Sequence, residues 1–433
     1  MMEIKWIILG IAVLMYALIV IFPEKKSFAA CGAALAMIVV RTAGGEQFFG
    51  LLTEALEELI NWEVLMIFVG SLVIAELFIY SRAPAVIADA LVDKSPNAGI
   101  AIVLILIMTG IISAFVENVA TVLVMAPIAM ALCSKLKMNP SCFMVGLAVM
   151  ANLQGTATLV GDPPSMIFAN YAGYGFNDFF IYNGKLSIFF FVQAGMIVGA
   201  LFFYRIFAKD GGQKIDIEKE KIISLAPSWF LILMIAGLAA ASFIYGGISL
   251  ASGLIVIILA VLGLLWYWIR EKSMSKAFEI VKGLDWDTAF FLIGIFVVVG
   301  AVSQAGLLQD FAALLSHIIG ANVLLGFILI VAVSTVISGF VDNVPYIIVM
   351  LPVAASLAGD LSLKPELYMF GLLVGSCMGG NLTPFGASAN VVSVGILRKQ
   401  GVKMAFSQWL KIGLPFTLLT TAASAVFIWL VWR

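Results

Sequence analysis

The chain has 433 residues, 63% of them hydrophobic and only 11% charged, with a formal net charge of −1. No soluble domain of this length needs so large an apolar share for its core, so the solvent around most of the chain is read as lipid. The near-zero net charge also leaves no basic footprint for a nucleic-acid partner.

Apolar stretches long enough to cross a bilayer core of ~30 Å, which takes ~20 helical residues, recur along the whole chain. They predict spans near 5–22, 27–42, 62–80, 142–168 and 183–204, then 227–246, 250–269, 286–306, 366–396 and 408–431. Two further stretches, 98–136 and 322–360, each hold two helices with a polar break in the middle. The first apolar stretch is read as a span and not as a secretion signal. No basic cluster opens it, and no small-x-small cleavage site precedes Phe22-Pro23-Glu24. The expected fold is therefore an all-α integral membrane protein with about ten transmembrane helices plus two re-entrant helical hairpins. Cys31, Cys133, Cys142 and Cys377 show no paired ligand spacing and are read as small packing residues. His317, the single histidine, falls in a connection, so no imidazole relay or metal cluster is available.

Lys and Arg concentrate in alternate connections: Lys25/Lys26, Arg82/Lys94, Lys135/Lys137, the 205–221 segment, Arg270 to Lys282 and Arg398 to Lys411. The positive-inside rule assigns these to the cytoplasm and both termini to the outside of a cell (inner) membrane. The polar segment from Lys209 to Ser224 divides the chain into a first repeat (1–208), a cytoplasmic linker (209–226) and a second repeat (227–433). A shift of 225 positions lays Ser113-Ala114-Phe115-Val116-Glu117-Asn118-Val119 over Ser338-Gly339-Phe340-Val341-Asp342-Asn343-Val344. It also lays Gly155, Thr158 and Gly161 over Gly380, Thr383 and Gly386. A shift of 224 lays Trp62 and Gly70 over Trp286 and Gly294. One unit has been duplicated. Five spans per copy is an odd number, so the copies are expected to enter the membrane from opposite faces, as in secondary transporters that bind substrate at the repeat interface.

Within hydrocarbon, polar side chains and helix breaks persist only where protein or a water-filled cavity satisfies them. The stretch Gly110 to Thr121 places a carboxylate and an amide between two apolar arms, which predicts a hairpin whose second arm starts near Glu117 and Asn118. The helix start would then offer free N–H groups to a cavity. Ser338 to Asn343 is read in the same way from the opposite face. Asn152 to Ser165 and Gly379 to Asn390 interrupt spans with Gly155, Gly161, Pro163 and Pro164 and with Gly380, Pro384 and Gly386, freeing carbonyls that can coordinate a cation. Asp162 has Ala387 as its counterpart, so the pattern supports a site role and a structural one equally. Glu76 has no acidic counterpart and fits helix packing or a cavity face. Trp62 and Trp286 are read as interface anchors.

These segments resemble the ion transporter superfamily, which contains divalent-anion/sodium symporters, citrate carriers, arsenite pump membrane subunits, sodium/proton antiporters of the NhaD type and the melanosomal P protein. The resemblance covers essentially the whole chain. Where symporter hairpin tips carry Ser-Asn-Thr, this chain has Glu117-Asn118-Val119 and Asp342-Asn343-Val344, which is more similar to the P protein, arsenite and antiporter branches. Gly161-Asp162-Pro163-Pro164 and the 380–392 segment resemble the P protein branch most. Ser165 stands where the family usually has asparagine. The resemblance implies cation sites at both tips and both breaks, and a homodimer by analogy.

The candidate ion- or substrate-binding residues are therefore Ser113, Glu117, Asn118, Gly155, Thr156, Thr158, Gly161, Asp162 and Ser165, with Ser338, Asp342, Asn343, Gly380, Asn381, Thr383, Gly386 and Asn390 in the second copy. Glu117, Asn118, Asp342 and Asn343 are the candidate Na+ ligands. The expected activity is secondary active transport of a small inorganic or organic anion or cation, coupled to Na+ or H+ and using no cofactor. Arsenite or other oxyanion efflux and Na+/H+ antiport are rivals within that class, and an ion channel is the rival outside it. No pairing of a nucleophile with a histidine base suggests an enzyme.

Overall fold

The computed structural model describes residues 2–22, 25–208, 220–247, 250–319 and 322–433; most of the expected linker, 209–219, lies outside them. The first half forms α1 (Met2–Ile21), α2 (Lys26–Ala43), α3 (Phe48–Glu54), α4 (Trp62–Tyr80), α5 (Ala83–Lys94), α6 (Ala98–Ser113), α7 (Asn118–Leu136), α8 (Ser141–Gly155), α9 (Pro163–Ala172) and α10 (Ile188–Phe207). The second forms α11 (Ala226–Tyr245), α12 (Leu250–Glu271), α13 (Met274–Gly283), α14 (Trp286–Gln304), α15 (Leu307–Ile319), α16 (Val323–Ser338), α17 (Asn343–Asp360), α18 (Glu366–Gly379), α19 (Ser388–Lys399) and α20 (Phe406–Trp432). The starts of α1, α2, α4 and α5 recur 224 residues later and those of α6 to α9 recur 225 later, so the two shifts in the sequence are one duplication with a single-residue difference between α5 and α6.

Helix starts are capped in matching pairs. Asn61 accepts the Val64 N–H at α4, and its counterpart Asp285 accepts the Thr288 N–H at α14. Asn97 and Asn322 do the same at α6 and α16. A helix start surrounded by apolar groups has few other ways to satisfy its free N–H groups.

The halves interlock through an exchanged pair of crossings, α2 on α14 and α4 on α12. Each crossing is set by a glycine at an equivalent position. A Cβ on Gly294 would lie 2.5 Å from the Ala30 carbonyl carbon and 2.6 Å from the Cys31 nitrogen; one on Gly70 would lie 2.8 Å from Val256 Cγ1. Small residues admit such close backbone approach. Gly294→Ala, facing backbone that cannot swing aside, is expected to destabilise the protein by ~1–3 kcal/mol. Gly283→Ala, with nothing within 4 Å of its Cβ, is expected to change stability by less than ~0.5 kcal/mol. Thermal unfolding in detergent reads both.

At the centre lie the two broken helices. Every residue of α18 and every residue of α8 from Phe143 onward is buried. α8 packs on α6, α7 and α19, while α18 packs on α16, α17 and α20.

Three features differ from the sequence reading. Ten described helices have the length and apolarity of a span, but α7 and α17 are among them, whereas the segments 142–168 and 366–396, read as spans, are not. Each of those segments divides into two short helices around its glycine- and proline-rich break. The internal Pro127 and Pro352 leave α7 and α17 continuous at 19 and 18 residues, or ~27 Å and more at 1.5 Å per residue. The span expected from 183 begins at Ile188, because Asn183 and Gly184 adopt positive φ (49° and 72°) in the turn of a small hairpin pairing Ile181–Tyr182 with Lys185–Leu186. The connections also hold helices of their own: α5, α13 and α15, the last carrying an exposed His317.

Three of the basic connections meet in the fold. Arg82 pairs with Glu220 at 2.7 Å, Ser81 O accepts the Ile223 N–H at 3.0 Å, and Arg270 donates to Ile223 O at 2.8 Å. Tyr80 and Lys276 both donate to Glu271 at 2.5 Å.

Candidate functional site

α6 and α7 are joined by the four-residue turn 114–117. Ser113 Oγ donates to Asn118 Oδ1 at 2.7 Å across that turn, and Glu117 caps α7 by accepting the Ala120 N–H at 2.9 Å. The α16–α17 turn is built alike: Ser338 Oγ donates to Asn343 Oδ1 at 2.5 Å, and the shorter Asp342 caps α17 one residue earlier, through the Val344 N–H at 3.0 Å. In both copies the acid and the asparagine are therefore fixed by the local chemistry of a helix start.

Each turn rests on a broken helix. Thr158 Oγ1 donates to Ala114 O, and Thr383 Oγ1 donates to Gly339 O at 2.5 Å. Ser338 Oγ also lies 2.5 Å from Ser376 O. The glycines of the breaks have no room for a side chain. A Cβ on Gly155 would stand 2.3 Å from Asn118 Oδ1, and one on Gly161 2.4 Å from Gly155 O. In the second copy a Cβ on Gly386 would stand 2.6 Å from Gly380 O, and one on Gly380 3.2 Å from Asn343 Oδ1. Carbonyl, amide and hydroxyl oxygens thus crowd against each tip, the oxygen-rich chemistry that suits a hard cation.

Both tips face one cavity of about 600 Å³, whose lining includes Glu117, Asn118, Asp162, Asp342, Asn343 and Gly386. Ser113, Gly155, Thr156, Thr158, Gly161, Ser165, Ser338, Gly380, Asn381, Thr383 and Asn390 sit buried behind that wall. The structure therefore brings together residues more than 200 positions apart in sequence, with six facing the cavity and the rest supporting it. Among the described residues four carboxylates reach the lining, namely Glu117, Asp162, Asp285 and Asp342, against one ammonium, Lys26.

The citrate transporter (CitMHS) family matches residues 16–375, and again 243–433. This chain belongs to the citrate transporter family. It is 28% identical to the uncharacterized transporter Rv2684 of Mycobacterium tuberculosis over 96% of both chains. It is 25% identical to the P protein of Mus musculus over 95% of this chain and 58% of that one. Its fold is similar to that of the Alcanivorax borkumensis YdaH transporter, described as having an unusual topology, with a TM-score of 0.62, 15% identity and coverage of 98% and 97% of the two chains. The family read from the tip and break motifs is thus borne out, with the P protein among the relatives, and the chain is a multi-pass membrane transporter.

Several residues of this citrate transporter family member are absent from the candidate ligands that the sequence offers, although Asn152 opens the first break there. Lys26 was counted with Lys25 as a loop charge; instead it lies in the cavity, 3.2 Å from Asp342 Oδ2, with its side chain 12% exposed and that of Asp342 29%. Only Lys25, which is exposed, remains a loop charge there. A lysine at the start of an apolar helix looks the same in sequence whether it faces headgroups or a cavity. Asn152, at the end of α8, donates to Asn381 Oδ1 at 2.9 Å and to Asn390 Oδ1 at 2.8 Å, joining the two broken helices. Its counterpart, 225 residues on, is Cys377, so the repeat gave no signal for it. Asp285 accepts from the Thr288 hydroxyl at 2.6 Å on the cavity wall. Glu76 lies on α4 outside that lining. Among the described residues no group of three His, Cys, Asp or Glu could hold a metal ion.

Proposed function

We propose that this protein is a secondary active transporter that moves a small anion or inorganic ion by alternating access, coupled to Na+ or H+, with its two hairpin tips entering from opposite faces and its basic end in the cytoplasm. The observation that carries this reading is the single cavity on which two duplicated tips and two broken helices converge, each tip presenting a carboxylate at a helix start. Such convergence at a repeat interface is how secondary carriers build a site shared by coupling ion and substrate. Asn118, Asn343, Thr158 and Thr383 position the ligands.

Na+/H+ exchange is the second reading, favoured by the four carboxylates that face one lysine among the described residues. A dianionic substrate would be repelled by such a wall until cations or protons neutralised it.

Proteoliposome flux against imposed Na+ and H+ gradients, run with oxyanions, carboxylates and inorganic cations, tests the reading. Gradient-driven uptake of at least one solute, stimulated by the same solute on the trans side, is the expected result. Unitary currents without counterflow would replace the carrier by a channel.

A further inference from the structure

Side chains tie the second tip to helices that pack elsewhere. α1 and α2 pack on each other and on α14, whereas α17 packs chiefly on α9, α15 and α18. Two bonds nevertheless cross from the first pair to α17. Tyr16 on α1 donates its hydroxyl to Pro345 O at 2.8 Å, and the ammonium of Lys26, the first residue of α2, stands 3.2 Å from Asp342 Oδ2. Asp342 caps α17 and Pro345 lies in its first turn, so both bonds end on one turn of helix.

An ammonium at the start of a helix faces the positive end of the macrodipole, so α2 itself gains nothing from Lys26. Its place is set by its surroundings. The centre of the Phe291 ring lies 5.4 Å away, and Asp285 and Asp287, at the start of α14, act on the ammonium from its own side. Those two acids are held in turn: the Thr288 hydroxyl donates to Asp285, and the Ser27 hydroxyl to Asp287. Across the cavity Glu117 and Asp162 feel the same positive charge. Lys26 therefore has acidic partners on both sides, Asp342 on the tip and Asp285 with Asp287 on the helix that α2 packs against. Asp342 is the more exposed member of its pair, at 29% against 12%, so an ion or proton entering the cavity reaches it while the pair is closed.

We propose that Tyr16 and Lys26 are positioning residues that latch the second tip to α1 and α2, and that neutralising Asp342 opens the latch by passing the ammonium to Asp285 and Asp287. While Asp342 is charged, two bonds hold the tip; once it is neutral, the Tyr16 bond alone remains. This deepens the carrier reading and rests on it: the ion that the tip takes up becomes the trigger that frees the tip to move, which is what coupling requires of an element with two arrangements. At the positions 224 residues on, α11 and α12 carry Ala240 and Leu250, whose side chains donate no hydrogen bond. The first tip is thus an internal reference.

Hydrogen exchange of the intact chain in detergent, followed by mass spectrometry over 339–347 and 114–122, tests the latch. Exchange at the second tip is expected to quicken by at least ~10-fold in Lys26→Met and in Asp342→Asn, whose asparagine still caps α17. A ~5-fold gain is expected in Tyr16→Phe, which loses one hydrogen bond. The first tip is expected to keep its rate in all three, and Lys26→Arg, which retains the charge, to hold the second tip as the wild type does. Tyr16→Phe and Lys26→Arg decide the matter if Lys26→Met does not fold. Unchanged exchange at the second tip in Lys26→Met and Tyr16→Phe overturns the latch, as does equal quickening of both tips. A tip freed in Lys26→Met yet held in Asp342→Asn overturns Asp342 as the trigger. None of these outcomes depends on transport, so the carrier reading stands or falls separately, on gradient-driven flux.

Discussion

Glu117→Gln is expected to reduce coupled flux in proteoliposomes by ~100-fold, the equivalent of losing ~3 kcal/mol of charge-assisted interaction with a cation. The substitution is selective. Glutamine keeps the length of the side chain and an oxygen able to accept the Ala120 N–H, so the cap of α7 and the Ser113–Asn118 bond across the turn survive. What disappears is the charge presented to the cavity. The unfolding temperature should therefore match the wild type while gradient-driven uptake falls to background. Wild-type turnover in this variant would show that Glu117 does no more than start a helix.

Breaking the Lys26–Asp342 pair is expected to act on stability as well. Removing one member of a buried ion pair leaves the other charge without its counterion, at ~3–5 kcal/mol in a fully buried setting. With Asp342 still 29% exposed, the low end, ~3 kcal/mol, applies to Lys26→Met and to Asp342→Asn. The combined variant Lys26→Met/Asp342→Asn removes both charges and should recover most of that loss, because no unpaired charge remains. Thermal unfolding of the three proteins in detergent forms a double-mutant cycle; losses that simply add would mean that the pair does not interact. Asp342→Asn is expected to lose coupled flux too, since an ammonium freed from Asp342 shares the cavity with Glu117 and competes with a coupling cation for its charge.

Much of this architecture was written in local pattern. Spans follow from runs of apolar residues, and α1, α2, α4, α10, α11, α12, α14 and α20 lie near their expected places because apolarity in lipid is a property of each segment alone. The turns at 114–117 and 339–342 were legible since a serine, an acid and an asparagine at that spacing close a helix–turn–helix with their own side chains. The Asn183-Gly184 turn was equally legible by its chemistry, yet the apolar run that follows hid it. Which segments reach spanning length was less legible. Pro127 and Pro352 lie inside continuous helices, whereas the glycines at 155, 161, 380 and 386 lie at or within the breaks, where carbonyls and asparagine side chains pack close to where a Cβ would go.

By itself the sequence determined that the protein lives in a membrane, that it arose by duplication, that its polar chemistry sits at two tips and two breaks, and to which family it belongs. Each of these rests on residue types and spacings that repeat. The tertiary structure alone decided that both tips open on one cavity and that the duplicated halves are not equivalent there. Lys26 reaches Asp342 across 316 residues, and Asn152 reaches Asn381 and Asn390 across more than 220. The physical reason is that these are pairings between copies: a repeat records what its two halves share, whereas the charge balance of the cavity is set by residues present in only one of them.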